Sequence, residues 1–220
     1  ESRDLYKAFL LERYALAPLF YSLGIQAHRT GDPIMRPLFY HFFEDEATHP
    51  VTDTFLIGDA LLIAPVLESG AETRRFYCPP GLWYDYWTGE RIEGGREIER
   101  PAPINALAGL PVLARGGSLL PRQASESPLS PTPPRTLELT LYPDATGNAE
   151  TVLHEGPGLT HRFRLEADGA ASRLHLENAT AAPRTFELKW PDGSPAGTVE
   201  LPAADNGVPA EETVSLRREF

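Results

Sequence analysis

The feature that most limits this chain is the two-residue rhythm of its last third. Leu137, Leu139 and Leu141 alternate with Glu138, Thr140 and Tyr142. Phe163 and Leu165 alternate with Arg162, Arg164 and Glu166, and Phe186, Leu188 and Trp190 with Glu187 and Lys189. Leu174 and Leu176 flank His175, and Val214 and Leu216 flank Ser215. Successive side chains of a strand point to opposite faces, so each run has one dry face and one wet face. The pattern predicts an antiparallel β-domain over 135–220.

Two other parts precede it. In the first, Leu5, Phe9, Leu16, Leu19, Phe20 and Leu23 recur at steps of three and four, the spacing of an amphipathic helix. Pro18 is expected to kink or end that helix near Ala17, and Gly24 and then Gly31-Asp32-Pro33 read as stop and turn signals. Pro33 to Phe43 is a short apolar run that suggests a buried strand, although Pro37 lacks the N–H that a central antiparallel strand needs. In the second part, Phe55-Leu56-Ile57, Leu61 to Leu67, Arg75 to Cys78, Leu82 to Trp87 and Leu110 to Leu113 are strand-like runs between turn signals. Prolines number 22 in 220 residues, about twice ordinary usage, which favours strands and rigid turns over a helical bundle. Four of them, Pro128, Pro131, Pro133 and Pro134, fall with Ser125, Ser127 and Ser130 within 123–134, where a semi-extended linker is expected.

Charge and composition exclude several functions. A formal net charge of −11 disfavours binding to nucleic acid phosphates. The longest apolar run, Ala60 to Leu67, is far short of the roughly 20 residues of a transmembrane helix. The lone Cys78 rules out an internal disulfide and any multi-cysteine metal site, and it fits a cytoplasmic protein. No signal peptide is read at the N-terminus. The start at Glu1 rather than Met leads us to expect a segment upstream.

No catalytic constellation stands out. There is no Gly-x-Ser-x-Gly elbow and no His-Glu-x-x-His, and Gly116-Gly117 lacks the Lys-Ser/Thr of a phosphate loop. No cofactor and no metal site is predicted. Glu44-Asp45-Glu46 with His41 and His49 has the residue types of a metal or acid–base cluster, but three consecutive carboxylates do not converge on one ion without a special turn. A solvated loop is the favoured reading. Trp83, Tyr84, Tyr86 and Trp87 suggest either a sugar-stacking platform or, preferably, a hairpin that buries its rings. Alternation puts Trp83 and Asp85 on one face and Tyr84 and Tyr86 on the other. Arg36, inside an apolar run, is expected to pair with a buried carboxylate. Cys78 is expected to be a buried, inert thiol. His154, His161 and His175 stand singly and carry no functional assignment.

Several segments resemble, in order, the C-terminal region of glycoside hydrolase family 31. They are Arg13-Tyr14-Ala15-Leu16-Ala17-Pro18-Leu19-Phe20-Tyr21, Gly31-Asp32-Pro33-Ile34-Met35-Arg36-Pro37-Leu38, Phe55 to Leu67, Trp83 to Gly89, and Leu110 to Ser118. Leu141-Tyr142-Pro143-Asp144 and Leu153-His154-Glu155-Gly156-Pro157-Gly158 are similar to the family's distal β-domain, where the second segment usually reads Leu-Tyr-Glu-Asp-Asp-Gly. Here His154, Gly156 and Pro157 stand in place of the tyrosine and the two aspartates.

The resemblance implies a mainly β chain: two C-terminal β-sandwich domains preceded by the last helix and strand of a (β/α)8 barrel. The implied division is 1–59 for the end of the barrel, 60–124 for a proximal sandwich, 125–134 for the linker and 135–220 for a distal domain. A full barrel needs about 200 residues or more. It also implies a retaining α-glycosidase, α-glucosidase-like, whose two aspartates lie upstream of Glu1. This chain would then bind the catalytic part of the same enzyme, and the oligosaccharide substrate would approach it near His41 and Asp45. The competing expectation is a free-standing carbohydrate-binding module built on the Trp83–Trp87 aromatics.

Overall fold

The computed structural model describes residues 2–123, 135–156, 159–168, 171–178, 183–204 and 209–216. The linker expected over 125–134 lies outside the described residues. The chain opens with two abutting helices, α1 (Ser2–Ala15) and α2 (Ala17–Thr30). The break falls at Leu16, because Pro18 sits in the first turn of α2, where its missing N–H is harmless. Gly24 does not stop α2, which runs through it; Gly31 closes the helix in the left-handed region (φ 82°) and donates its N–H to Ala27 O. Among the described residues no helix is long and apolar enough to cross a membrane.

Nine strands follow before the undescribed stretch. They are β1 (Met35–Pro37), β2 (Phe55–Ile57), β3 (Leu61–Ile63), β4 (Thr73–Cys78), β5 (Leu82–Asp85), β6 (Arg91–Glu93), β7 (Arg96–Pro101), β8 (Val112–Arg115) and β9 (Ser118–Arg122). Seven more follow among the described residues: β10 (Thr136–Tyr142), β11 (Ala149–Gly156), β12 (Leu159–Asp168), β13 (Ala171–Asn178), β14 (Arg184–Lys189), β15 (Pro195–Leu201) and β16 (Ala210–Leu216). The protein is mainly β.

Three sheets result. A six-stranded sheet runs β1-β2-β3-β8-β5-β6, a ribbon pairs β4 with β7, and an eight-stranded sheet runs β15-β14-β10-β9-β11-β12-β13-β16. The six-stranded sheet is buried on both faces, and alternation divides its side chains between them. Leu56, Leu62, Trp83 and Leu113 face the β4–β7 ribbon with Phe76 and Cys78. Ile57, Leu61, Tyr84, Val112 and Ala114 face the helices with Leu16, Leu19 and Leu23. The eight-stranded sheet encloses its own core of Leu137, Leu139, Phe163, Leu165, Leu174, Phe186 and Leu188.

The run Pro33–Phe43 differs from the long strand expected. Only Met35–Pro37 is extended, at the sheet edge against β2, and Leu38–Tyr40 forms a 3-10 turn. Pro37 cannot carry a ladder forward, so the strand stops there.

One short segment joins the two large sheets. Gly116 N–H donates to Leu82 O in the six-stranded sheet, and Gly117 N–H to Tyr142 O in the eight-stranded one. Glu150 N–H returns to Gly117 O. Gly117 is left-handed (φ 95°), and a Cβ on Gly116 would sit 2.8 Å from Leu82 O. β9 therefore belongs to the distal sheet, between β10 and β11, although it precedes the linker region. Gly116→Ala is expected to lower unfolding stability by about 1–3 kcal/mol, as overpacking against fixed backbone does. Denaturant unfolding of the two proteins side by side measures it, and equal midpoints would refute the close contact.

Candidate functional site

The residues singled out by sequence lie on the corner after β1. Arg36 is 3% exposed. Its expected carboxylate partner is absent: among the described residues no Asp or Glu stands within ion-pair distance of it. Instead Arg36 Nε donates to Pro33 O at 2.7 Å, and Nη1 lies 2.7 Å from His41 Nε2. The Tyr40 ring also lies 5.4 Å from its guanidinium carbon. The reason is chain geometry: the 3-10 turn folds His41 and Tyr40 back over Arg36, so donors are answered locally.

Arginine only donates, so His41 Nε2 accepts and the imidazole is neutral with its hydrogen on Nδ1. Burial, then the Arg36 charge, pushes the His41 pKa down; Asp59 and a hydrogen bond to the Gly58 backbone oppose this, and Arg115 adds to it. Tyr40 Oη donates to Asp32 Oδ1 at 2.5 Å, and Thr30 Oγ1 to Asp32 Oδ2 at 2.7 Å. These bonds, with the nearby Arg36, hold the Asp32 carboxyl below its ordinary value, and Asp32 in turn raises Tyr40. The result is a chain of polar groups, Asp32–Tyr40–Arg36–His41, with Asp59 and Arg115 at its far end.

Asp45 points elsewhere. Its Oδ1 caps the short turn Glu46–Thr48 through Ala47 N–H, and Oδ2 accepts Tyr77 Oη–H at 2.7 Å. Burial, and then that bond, push Tyr77 up to about 12. Asp45 therefore ties the loop to β4, and no hydrogen bond or ion pair joins it to His41 among the described residues. Glu44, Glu46 and His49 are exposed, and His49 Nε2 donates to Phe43 O at 2.8 Å. Among the described residues no three His, Cys, Asp or Glu side chains come together as a metal set. The corner carries exposed apolar side chains, with Met35 58% and Phe43 67% exposed.

The Trp83–Trp87 aromatics form no platform. Trp83 is wholly buried and Tyr84 nearly so, on opposite faces as alternation predicts. Trp87 Nε1 donates to Leu110 O, and Tyr86 Oη bonds to Glu12, which Arg122 also grips. Asp85 Oδ1 accepts from Trp87 N, Thr88 N and Thr88 Oγ1, and its Oδ2 pairs with Arg100 at 2.8 Å. Cys78 is fully buried, and that burial pushes its thiol up to about 12. It is inert, as expected.

Sequence reasoning missed the long-range partners. Nothing local tells that Tyr77 meets Asp45 or that Arg122 meets Glu12. It also missed an open polar groove of about 1100 Å³ between α2 and the outer face of β11–β13, lined by Gln26, Glu150, His154, Arg162 and Arg164 among others.

These features define a mainly β region packed against two helices. Residues 31–120 match the glycosyl hydrolase family 31 C-terminal domain. Over 193 residues the chain is 33% identical to alpha-glucosidase 2 of Bacillus thermoamyloliquefaciens, covering 84% of this chain and 24% of that protein. It is 38% identical over 168 residues to an alpha-glucosidase of Hordeum vulgare, covering 75% and 19%. The crystal structure of a family 31 alpha-xylosidase from Xanthomonas citri superimposes with a TM-score of 0.72 at 26% identity, over 94% of this chain and 24% of that one. The chain belongs to glycosyl hydrolase family 31 and corresponds to the C-terminal part of its alpha-glucosidase-like members. It spans about a quarter or less of the length of these relatives.

The His41 arrangement sets a pH dependence. Its folded pKa lies below the unfolded value, so the unfolded state binds more protons. Stability therefore rises with pH through this window and is lost as pH falls below about 6.5. We expect the His41 Cε1–H resonance to titrate with a midpoint below that of free histidine, and Arg36→Met to move it upward. An unchanged midpoint in Arg36→Met would refute the pairing.

Proposed function

We propose that this chain is the C-terminal portion of a retaining α-glycosidase that hydrolyses α-linked glucosides, with its catalytic aspartates in a part of the enzyme upstream of Glu1. The observation that carries the reading is the similarity to alpha-glucosidases along most of the chain, at 33% identity over 193 residues for one of them. Retaining hydrolysis takes a carboxylate nucleophile and a carboxylic acid about 5 Å apart across the scissile bond. We assign neither role to a residue of this chain.

In this reading residues 1–59 end the catalytic (β/α)8 barrel and lend β1 and β2 to a proximal β-sandwich of 60–124, which in turn lends β9 to the distal β-domain of 135–220 beyond the linker at 125–134. The partners are the catalytic part of the same enzyme and an oligosaccharide. His41 is the residue we assign to the substrate side, because its neutral ring sits on a corner with exposed apolar side chains. Asp45 acts beside it by fixing the loop to Tyr77. The single buried cysteine is compatible with the cytoplasm. The sugar-binding-module alternative rested on Trp83, Tyr84, Tyr86 and Trp87, and the burial and bonding of those rings remove its support.

The test compares two proteins on a chromogenic α-glucoside. The 220-residue chain alone is expected to give no turnover above the uncatalysed rate. The chain joined to the segment its gene encodes upstream is expected to release the α-anomer first, read by proton NMR. Turnover by the isolated chain, or release of the β-anomer, would overturn the reading.

A further inference from the structure

One end of the distal core is built from ionisable groups. Glu155 is the extra residue of a bulge in β11, where pairing with β12 shifts between His154 and Gly156. Its side chain, 5% exposed, turns onto His161 of β12 and Arg184 of β14, which are 0% and 9% exposed. A single oxygen, Oε2, accepts from His161 Nε2 at 2.8 Å and from Arg184 Nε and Nη2 at 3.1 and 2.9 Å. The contacts with His161 and Arg184 outweigh burial and hold the Glu155 carboxyl below its ordinary value.

A carboxylate only accepts, so His161 Nε2 carries its hydrogen. Among the described residues Nδ1 is then buried with no hydrogen-bond partner. The rings of Phe163 and Phe186 stand 6.3 and 6.0 Å from the imidazole. Continuing the β12–β13 register from Arg162↔Glu177 puts the fully buried Asn178 opposite His161, and Asn178 Nδ2 donates to Pro202 O. With His161 neutral, the charges of Glu155 and Arg184 cancel. A second proton on Nδ1 would leave a net positive charge among aromatic rings, as an N–H with no acceptor. Such a buried group costs free energy that the open state does not incur.

The same end of β11 holds α2. Ser22 Oγ donates to Val152 O at 3.2 Å and accepts from His154 N–H at 3.0 Å. Burial, and then the positive charges of Arg29 of α2 and Arg162 of β12, disfavour a proton on His154. Extra positive charge at this corner is therefore unfavourable from the helix side as well.

We propose that Glu155, His161 and Arg184 form an acid-sensitive latch that grips the bulged end of β11, and through it α2, while His161 is neutral, and that opens when Nδ1 takes a proton. The latch is independent of the glycosidase reading. Protonation of Glu155 itself belongs to a lower window, below the unfolded carboxyl value of about 4.3.

Amide hydrogen exchange of the full chain at pH 7.5 and 5.5, corrected for intrinsic rates, tests it. We expect protection in α2, β11 and β12 to fall by up to about tenfold at the lower pH relative to β2 and β3, since pH 5.5 lies about one unit below the ordinary histidine value of about 6.5 at which an open imidazole takes its proton. His161→Gln keeps an N–H for Glu155 but takes no proton, and should abolish the difference. Equal losses in both sheets, or an undiminished loss in His161→Gln, would overturn the latch. Should that variant not fold, nitrogen NMR of the wild-type imidazole decides: Nδ1 protonation must accompany the loss of protection, and loss without it overturns the proposal.

Discussion

Everything in this molecule turns on two glycines. Gly116 bonds to the six-stranded sheet and Gly117 to the eight-stranded sheet, so consecutive peptide groups belong to different sheets. A Cβ at Gly116 would meet a carbonyl oxygen at 2.8 Å, and Gly117 adopts a left-handed φ that other residues rarely tolerate. Close approach here lets Leu120 and Tyr142 of the distal sheet pack with Leu16, Leu19 and Leu23 in the same cluster as Tyr84 and Val112. Helix α2 is thereby held between two sheets, which explains why its amphipathic face needs no further partner along Leu19 and Leu23.

Much of the fold was legible because the strands carry a period that only one backbone conformation explains. Phe163, Leu165, Leu174 and Leu176 point inward as alternation requires, and Trp83 and Tyr84 separate onto opposite faces of one sheet. The Pro18 break and the Gly31 stop were visible because both residues restrict φ or free it locally. Strand order was not legible. β10 pairs in parallel with β14, and β9 enters the distal sheet from the other side of the linker region. Such pairings depend on distant surfaces that no local pattern encodes. Pro33–Phe43 was read as one strand because its apolar content hides a 3-10 turn.

The candidate site was legible in residue type and not in partnership. Arg36 was recognised as buried, but its expected carboxylate is replaced by a backbone carbonyl, a neutral imidazole and a tyrosine ring. His41 and Asp45, four residues apart, serve different ends, because the intervening turn sends one side chain back to Arg36 and the other to Tyr77. His161 looked unremarkable in sequence, and only the β11 bulge reveals why it matters. In each case the long-range contact, not the residue, carries the chemistry.

The place of β9 changes what a boundary means in this protein. A backbone cut anywhere between Gln123 and Arg135 would leave β9 on the first fragment and its neighbours β10 and β11 on the second. The two fragments would remain joined by strand complementation, with β9 acting as a donated strand that fills the middle of its partner's sheet. Covalent modularity and mechanical modularity therefore diverge here. Conversely, a distal domain excised at the linker would carry an open seam at its centre, a gap with unpaired backbone amides and a tendency to recruit foreign strands.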